Sequence, residues 1–160
     1  MQDLLHDVGV LGEERSRILA ALTGAGSYSF DDVAVAGLEP DAFLAAVDAA
    51  SDGNSLAAAF DLLRKGKALG FGYVAGPVTI SDGAVRFAPF VATTQQAKVE
   101  VKVVGELALN AIDADIAVAF PGRAGLPGLS IASAGVPDAL VRSEDMAELS
   151  TRLGVTIMQQ

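Results

Sequence analysis

The chain has 160 residues, enough for one domain with its own hydrophobic core, and a second folded domain is not expected. Its formal net charge of −9, with 11 Lys and Arg in no basic cluster, disfavours nucleic-acid binding. The absence of Cys excludes disulfides, thiolate nucleophiles and zinc–cysteine sites. A single histidine, His6, excludes almost every His-based metal site or triad and is predicted to be an ordinary surface residue.

The chain is apolar for a soluble domain, with 51% hydrophobic residues, but no run approaches the length of a membrane span. The first residues lack the basic and apolar regions of a secretory signal. Residues 1–10 have no clear periodicity and fit either a frayed end or an edge strand. Apolar side chains at helical spacing then predict a helix over residues 13–22, with Gly24 as its stop.

Alternation over residues 26–30 predicts a strand that continues through Val33 and Val35. The change of phase near Asp31 and Asp32 indicates a bulge, an interpretation that we prefer to a metal-binding pair. Pro40 suits the first turn of a helix that runs to the break at residues 52–54. A further helix is predicted to begin at Ser55 and to end in the basic residues 64–67, so the two form a helical hairpin.

Residues 76–120 predict three or four amphipathic strands in succession. Asp82 and Gly83 form a strong hairpin signal between residues 77–81 and 84–87. Farther on, apolar residues of one parity alternate with charged and small residues over two strands, which gives a sheet with one dry face. The residues of this apolar face are Val99, Val101, Val103, Leu107, Leu109, Ile112, Ile116, Val118 and Phe120.

After a proline and glycine loop at residues 121–128, residues 129–132 predict another short strand. Ser143 resembles a helix N-cap, followed by acidic residues and an apolar stripe that ends before Gly154. The order of elements predicts an α+β fold, an antiparallel β-meander sheet with helices packed on one face or end.

No catalytic motif is found. The glycines of residues 70–76 follow a helix and precede a strand, the reverse of a phosphate-binding loop. Asp113 and Asp115, with Glu106 across the turn, form the best carboxylate cluster for acid–base chemistry or calcium. Their strict alternation favours instead a solvated strand face that discourages aggregation.

Several segments in order resemble the AsmA-like family of bacterial envelope proteins. Residues 24–42 are similar to its G-x-G-x-hydrophobic-x-hydrophobic … G-hydrophobic-x-P-x-A segment. Residues 78–87 and 97–115 are similar to strand pairs of its C-terminal portion, and residues 126–149 complete the series. The resemblance covers about residues 24–153 and implies that the chain, a single domain over residues 1–160, is a fragment of a larger protein.

The resemblance implies a non-enzymatic domain in the periplasm of a Gram-negative bacterium, belonging to a protein anchored in the inner membrane. Its implied role is outer-membrane biogenesis and phospholipid handling. Phospholipid acyl chains and other envelope proteins are the implied partners, no cofactor or metal is expected, and membrane association would require parts outside this chain. Two occupants of the apolar face remain open: acyl chains, or the protein's own helices in a structural or protein-interaction module. An enzyme using Asp113 or Asp115 is the third hypothesis.

Overall fold

The fold was obtained as a computed structural model, which describes residues 12–159. The predictions for residues 1–10 and for His6 lie outside the described residues. The first described helix, α1, spans residues 12–20, so it ends slightly earlier than the apolar spacing suggests. The chain then reaches the sheet, and the carbonyl of Leu22 accepts a hydrogen bond from the N–H of Gly83 at 3.0 Å.

The described residues form one open sheet of eight strands in which every pairing is antiparallel. The order is β1-β2-β3-β5-β6-β7-β8, and the short β4 pairs with β5 beside β3. This confirms the predicted α+β fold with an antiparallel meander. The strands are β1 Gly24–Val35, β2 Leu69–Ser81, β3 Ala84–Phe87, β4 Phe90–Thr93, β5 Lys98–Glu106, β6 Ala111–Ala119, β7 Leu129–Gly135 and β8 Val141–Asp145.

Two predicted backbone features are confirmed. Asp82 (φ 50°) and Gly83 (φ 76°) both adopt the left-handed conformation of a two-residue hairpin turn between β2 and β3. The register of β1 against β2 shifts between Phe30 and Val33, where Asp32 also has a positive φ of 53°. The carboxylates at residues 31 and 32 therefore belong to a bulge.

Two helices between β1 and β2 form the predicted hairpin: α2, Pro40–Ala49, and α3, Gly53–Lys65. The expected start of α3 at Ser55 is wrong by two residues. Asp52 is the N-cap and accepts from the Ser55 N–H at 2.8 Å, while the Ser55 hydroxyl accepts from the Asp52 N–H at 3.1 Å. Because of this capping box, the helix begins within residues 52–54, which the sequence analysis had interpreted as a break between helices.

The predicted N-terminus of the last helix is wrong. Ser143 does not cap a helix, because residues 141–145 form β8 and pair with β7. The helix α4 spans Ala147–Met158 and passes through Gly154. The acidic residues that suggest a first helical turn instead lie in an edge strand, where Glu144 meets Arg64 at 2.6 Å and Arg142 at 3.1 Å.

Two strand boundaries and the number of strands also differ from the predictions. Strand β5 ends at Glu106, and residues 107–110 form a turn in which Asn110 has a φ of 47°. The expected alternation therefore stops before Leu109. Strand β2 already begins at Leu69, and β4 was not expected, so seven strands follow the helical hairpin instead of four or five.

Helices α2, α3 and α4 pack on one face of the sheet, which we call the inner face. Phe43, Leu44, Leu63 and Leu149 are at most 1% exposed and lie against β5, β6 and β7 in a single hydrophobic cluster. The opposite, outer face carries Lys102, Asp113 and Asp115. Among the described residues, no helix has the length and apolar character to cross a membrane.

Candidate functional site

Five of the nine residues predicted to contact lipid lie beneath the helices. Each is at most 7% exposed, and each belongs to the hydrophobic cluster formed with α2, α3 and α4. The protein's own helices cover this part of the inner face, which we call the covered half. The five residues are Val99, Val101, Ile116, Val118 and Phe120.

The other four predicted residues lie at or beyond the border of the helices. Val103 packs against the margin of the cluster and is half-buried, as is Ile112 on the neighbouring strand. Leu107 and Leu109 lie in the turn after β5, and Leu109 is 72% exposed. The structure therefore divides the predicted set into a covered group and a border group.

The inner face continues beyond this border onto strands for which the sequence analysis proposed no site. Directly opposed residues of neighbouring strands point to the same face, so the pairings of β5 with β3 and of β3 with β2 show which side chains continue the inner face. The opposed pairs are Val85 with Gly105, Ile80 with Val85, and Val78 with Phe87. None of these side chains belongs to the cluster under the helices. We call this region the open half, and its residues are Tyr28, Phe30, Val78, Ile80, Val85, Phe87 and Ile112.

Aromatic rings organise the part of the open half nearest β1. The ring of Tyr28 lies 5.6 Å from that of Phe30 and 5.3 Å from that of Phe87, edge-on to the latter. Tyr28 also packs over Gly76, where a Cβ would come within 3.2 Å of the ring, and donates a hydrogen bond to the Ala88 carbonyl at 2.6 Å. These contacts leave Tyr28 only 9% exposed, whereas Phe30 is 50% exposed.

A shallow apolar cavity of about 360 Å³ lies beside this cluster. Its apolar lining includes Val85, Phe87, Leu107, Ile112 and Pro137. Its volume is at the lower end of the range of small-molecule sites, which are predominantly apolar. The polar side chains in the lining are Glu106 and Asn110, so the cavity offers mainly apolar contact area.

Two arginines form hydrogen bonds that connect the covering helices to the sheet or its loops. Arg64 on α3 donates to Glu144 on β8 at 2.6 Å, and this bond raises the pKa of Arg64. Arg123, in the loop before β7, donates to both carboxylate oxygens of Asp48 on α2 at 2.7 and 2.5 Å. These hydrogen bonds lower the pKa of Asp48. Each pair joins a covering helix to the sheet or to its loops.

The structure separates the carboxylates considered for chemistry: Glu106 lines the cavity of the open half, and the aspartates lie elsewhere. Asp113 and Asp115 are exposed on the outer face, where Asp115 lies opposite Lys102. Asp31 and Asp32 are exposed at the bulge. Within residues 12–159, no group of three or more His, Cys, Asp or Glu residues is placed to hold a metal ion.

The missed residues had a signal in the sequence. Val78, Ile80, Val85 and Phe87 flank the predicted hairpin turn, and the turn type fixes which of them share a face. The position of β1 beside β2 had no such signal, because α2 and α3 separate the two strands along the chain.

No protein-family model, curated protein or solved structure matches this chain.

Proposed function

We propose that this chain is a non-enzymatic domain that binds phospholipid acyl chains on the open half of its inner face. The proposed setting is lipid handling and outer-membrane biogenesis by a periplasmic, inner-membrane-anchored AsmA-like protein. The observation that carries the proposal is the continuous apolar face, of which helices cover one half and leave the other partly exposed. The setting rests on the resemblance of residues 24–153 alone.

The chemistry of the open half favours an acyl chain over a polar ligand. Its side chains are aliphatic or aromatic, and burying them releases about 25 cal/mol for each Å² of apolar surface. The described lining of the cavity includes a single charged residue, Glu106. The net charge of −9 would repel anionic headgroups, so the expected ligand is a zwitterionic phospholipid.

A lipid-uptake experiment tests the proposal. The purified chain is incubated with phosphatidylcholine vesicles, separated from them and examined by native mass spectrometry. The expected result is a protein species heavier by the mass of one phospholipid. A wild-type chain that takes up no phospholipid contradicts the proposal.

Matched substitutions locate the contact. Phe30→Glu places a charge in the open half, whereas Val91→Glu places the same charge on the outer face at a site of similar exposure, 46% against 50%. The first substitution should abolish uptake and the second should preserve it, because a buried carboxylate is costly beside an acyl chain. Equal losses in the two variants would contradict binding at the open half.

The sealed covered half favours a second candidate, a structural or protein-interaction module without a lipid ligand. Five residues of the predicted lipid face already have a full complement of protein neighbours. If this candidate is right, the wild-type chain takes up no phospholipid, and neither Phe30→Glu nor Val91→Glu alters that result.

A further inference from the structure

Strands β1 and β8 lie at the two ends of the strand order, and their unpaired sides differ in how they are protected. Proteins usually blunt an exposed edge with charges, prolines, bulges or short strands, because unpaired backbone groups can pair with another chain. Strand β8 has five residues, three of them charged. Strand β1 has 12 residues, and its first seven, Gly24–Phe30, contain neither a charge nor a proline.

The side of this seven-residue segment that pairs with β2 is regular. Gly24 through Phe30 pair with seven consecutive residues of β2, and the register shifts only after Phe30. A strand that is regular on its paired side presents equally regular N–H and C=O groups on its other side. No residue within 12–159 pairs with the side of β1 that faces away from β2.

The segment suits pairing with a second copy of itself. An antiparallel pairing of identical strands is symmetric about a two-fold axis, so every backbone group offered by one copy meets its complement on the other. No like charges would be opposed within the paired residues. Asp31 and Asp32 follow the segment, and the symmetry places those of the two copies at opposite ends of the pairing.

The side chains of the segment support the same arrangement. Phe30 is 50% exposed, and Tyr28 lies beside it on the inner face. In the paired segment, Tyr28 lies opposite Gly26 of the second copy and Phe30 lies opposite its Gly24, all on the inner face. Each exposed Phe30 ring can then pack over a glycine of the second copy, which buries part of the ring. The two sheets would then continue into one, and the two open halves would lie side by side.

We propose that the chain forms a two-fold symmetric dimer in which Gly24–Phe30 of β1 pairs antiparallel with the same segment of a second copy. The proposal rests on the backbone edge and is independent of lipid binding. The interface is small, so the dimer is weak and depends on concentration. Salt strengthens it, because screening reduces the repulsion between two chains of net charge −9.

Sedimentation velocity of the full chain, without lipid, tests the dimer. Across a concentration series, the expected mass rises from 16.3 kDa toward twice that value, and the rise begins at lower concentration in higher salt. A chain that remains monomeric at every concentration overturns the proposal. Failure of lipid uptake leaves this experiment unaffected, so the two proposals fail separately.

Matched lysine variants place the interface. Ser27→Lys puts a charge at the centre of the segment, where it faces its counterpart across the two-fold axis and weakens the dimer about fivefold or more. Ala75→Lys puts the same charge on β2, opposite Ser29 and one strand away from the edge. It should leave the dimer intact. Thermal unfolding followed by circular dichroism shows whether each variant is folded, and equal effects of the two lysines overturn the proposal.

Cysteine cross-linking gives a second measurement, because the natural chain has no Cys. Directly opposed residues of antiparallel strands have Cα atoms about 4.5 to 5.5 Å apart, within the range for a disulfide. Only Ser27 faces its own counterpart at the two-fold axis, whereas Ala25 lies opposite Ser29 of the second copy. With diamide as the oxidant, Ser27→Cys should therefore form a disulfide-linked dimer far more readily than Ala25→Cys. Ser143→Cys on β8 should not, and cross-linking at β8 alone overturns the proposal.

Discussion

Substitution of Phe43 by alanine measures how firmly the helices cover the inner face. The ring is fully buried, with its centroid 5.3 Å from that of Phe60 on α3 and 6.1 Å from that of Phe120 beyond β6. Removing it loses apolar burial and leaves a cavity, at a combined cost of about 3 to 5 kcal/mol. A typical domain has a free energy of unfolding of about 5 to 15 kcal/mol, so this loss is a large fraction of it.

Urea denaturation followed by far-UV circular dichroism gives the magnitude. We expect Phe43→Ala to lower the midpoint without changing the slope, since the fold and the surface exposed on unfolding are retained. The matched control is Phe30→Ala in the open half. That ring is already 50% exposed and water can occupy the vacated space, so the expected cost is about 1 kcal/mol.

The comparison between the two phenylalanines decides the point. If Phe43→Ala costs no more than Phe30→Ala, the helices do not seal the covered half. Val99, Val101 and Val118 would then be available to a ligand after all.

Three further outcomes are expected. The lowered pKa of Asp48 means that its pair with Arg123 stabilises the fold fully above the ordinary carboxyl pKa of 3.8 and less as pH falls through the folded value. Acidification should therefore reduce the free energy of unfolding of the wild type more than that of Asp48→Asn, by at most about 1 kcal/mol for so exposed a pair. Gly83→Ala should lower the urea midpoint more than Gly72→Ala, because both glycines have positive φ but only the Cβ at Gly83 would lie 2.5 Å from a backbone oxygen of α1; equal midpoints would contradict that contact. Tyr28→Phe should cost about 1 kcal/mol in the same assay through loss of the hydroxyl bond to the backbone, and an unchanged midpoint would show that the bond contributes nothing.

Much of the fold follows from local signals. The β2–β3 turn and the bulge in β1 are predictable because the left-handed conformations at Asp82, Gly83 and Asp32 favour those residue types. The start of the last helix is not. Ser143 and the following acidic residues are compatible with either a helix N-terminus or a strand. Pairing with β7 and the ion pairs of Glu144 with two arginines stabilise the strand.

The candidate site was predictable in its chemistry but not in its extent. Alternating residues on β5 and β6 show that one face is apolar, and this pattern is similar for Val99, now covered, and Ile112, at the border. Whether a helix lies above a given residue depends on where α2, α3 and α4 pack, which is a tertiary property. The contribution of Tyr28 and Phe30 required the long-range pairing of β1 with β2, which the sequence pattern does not specify.

The placement of the whole α2–α3 hairpin between β1 and β2 has a consequence for refolding kinetics. Strands β5 and β6 are joined by a short turn and can pair early, whereas β1 must close a long loop to reach β2. We therefore expect pulsed hydrogen exchange during refolding to protect the amides of β5 and β6 before those of β1, and the reverse order would contradict this sequence of events. Until β1 arrives, β2 is itself an unpaired edge, so the interval before docking is when refolding chains are most exposed to aggregation.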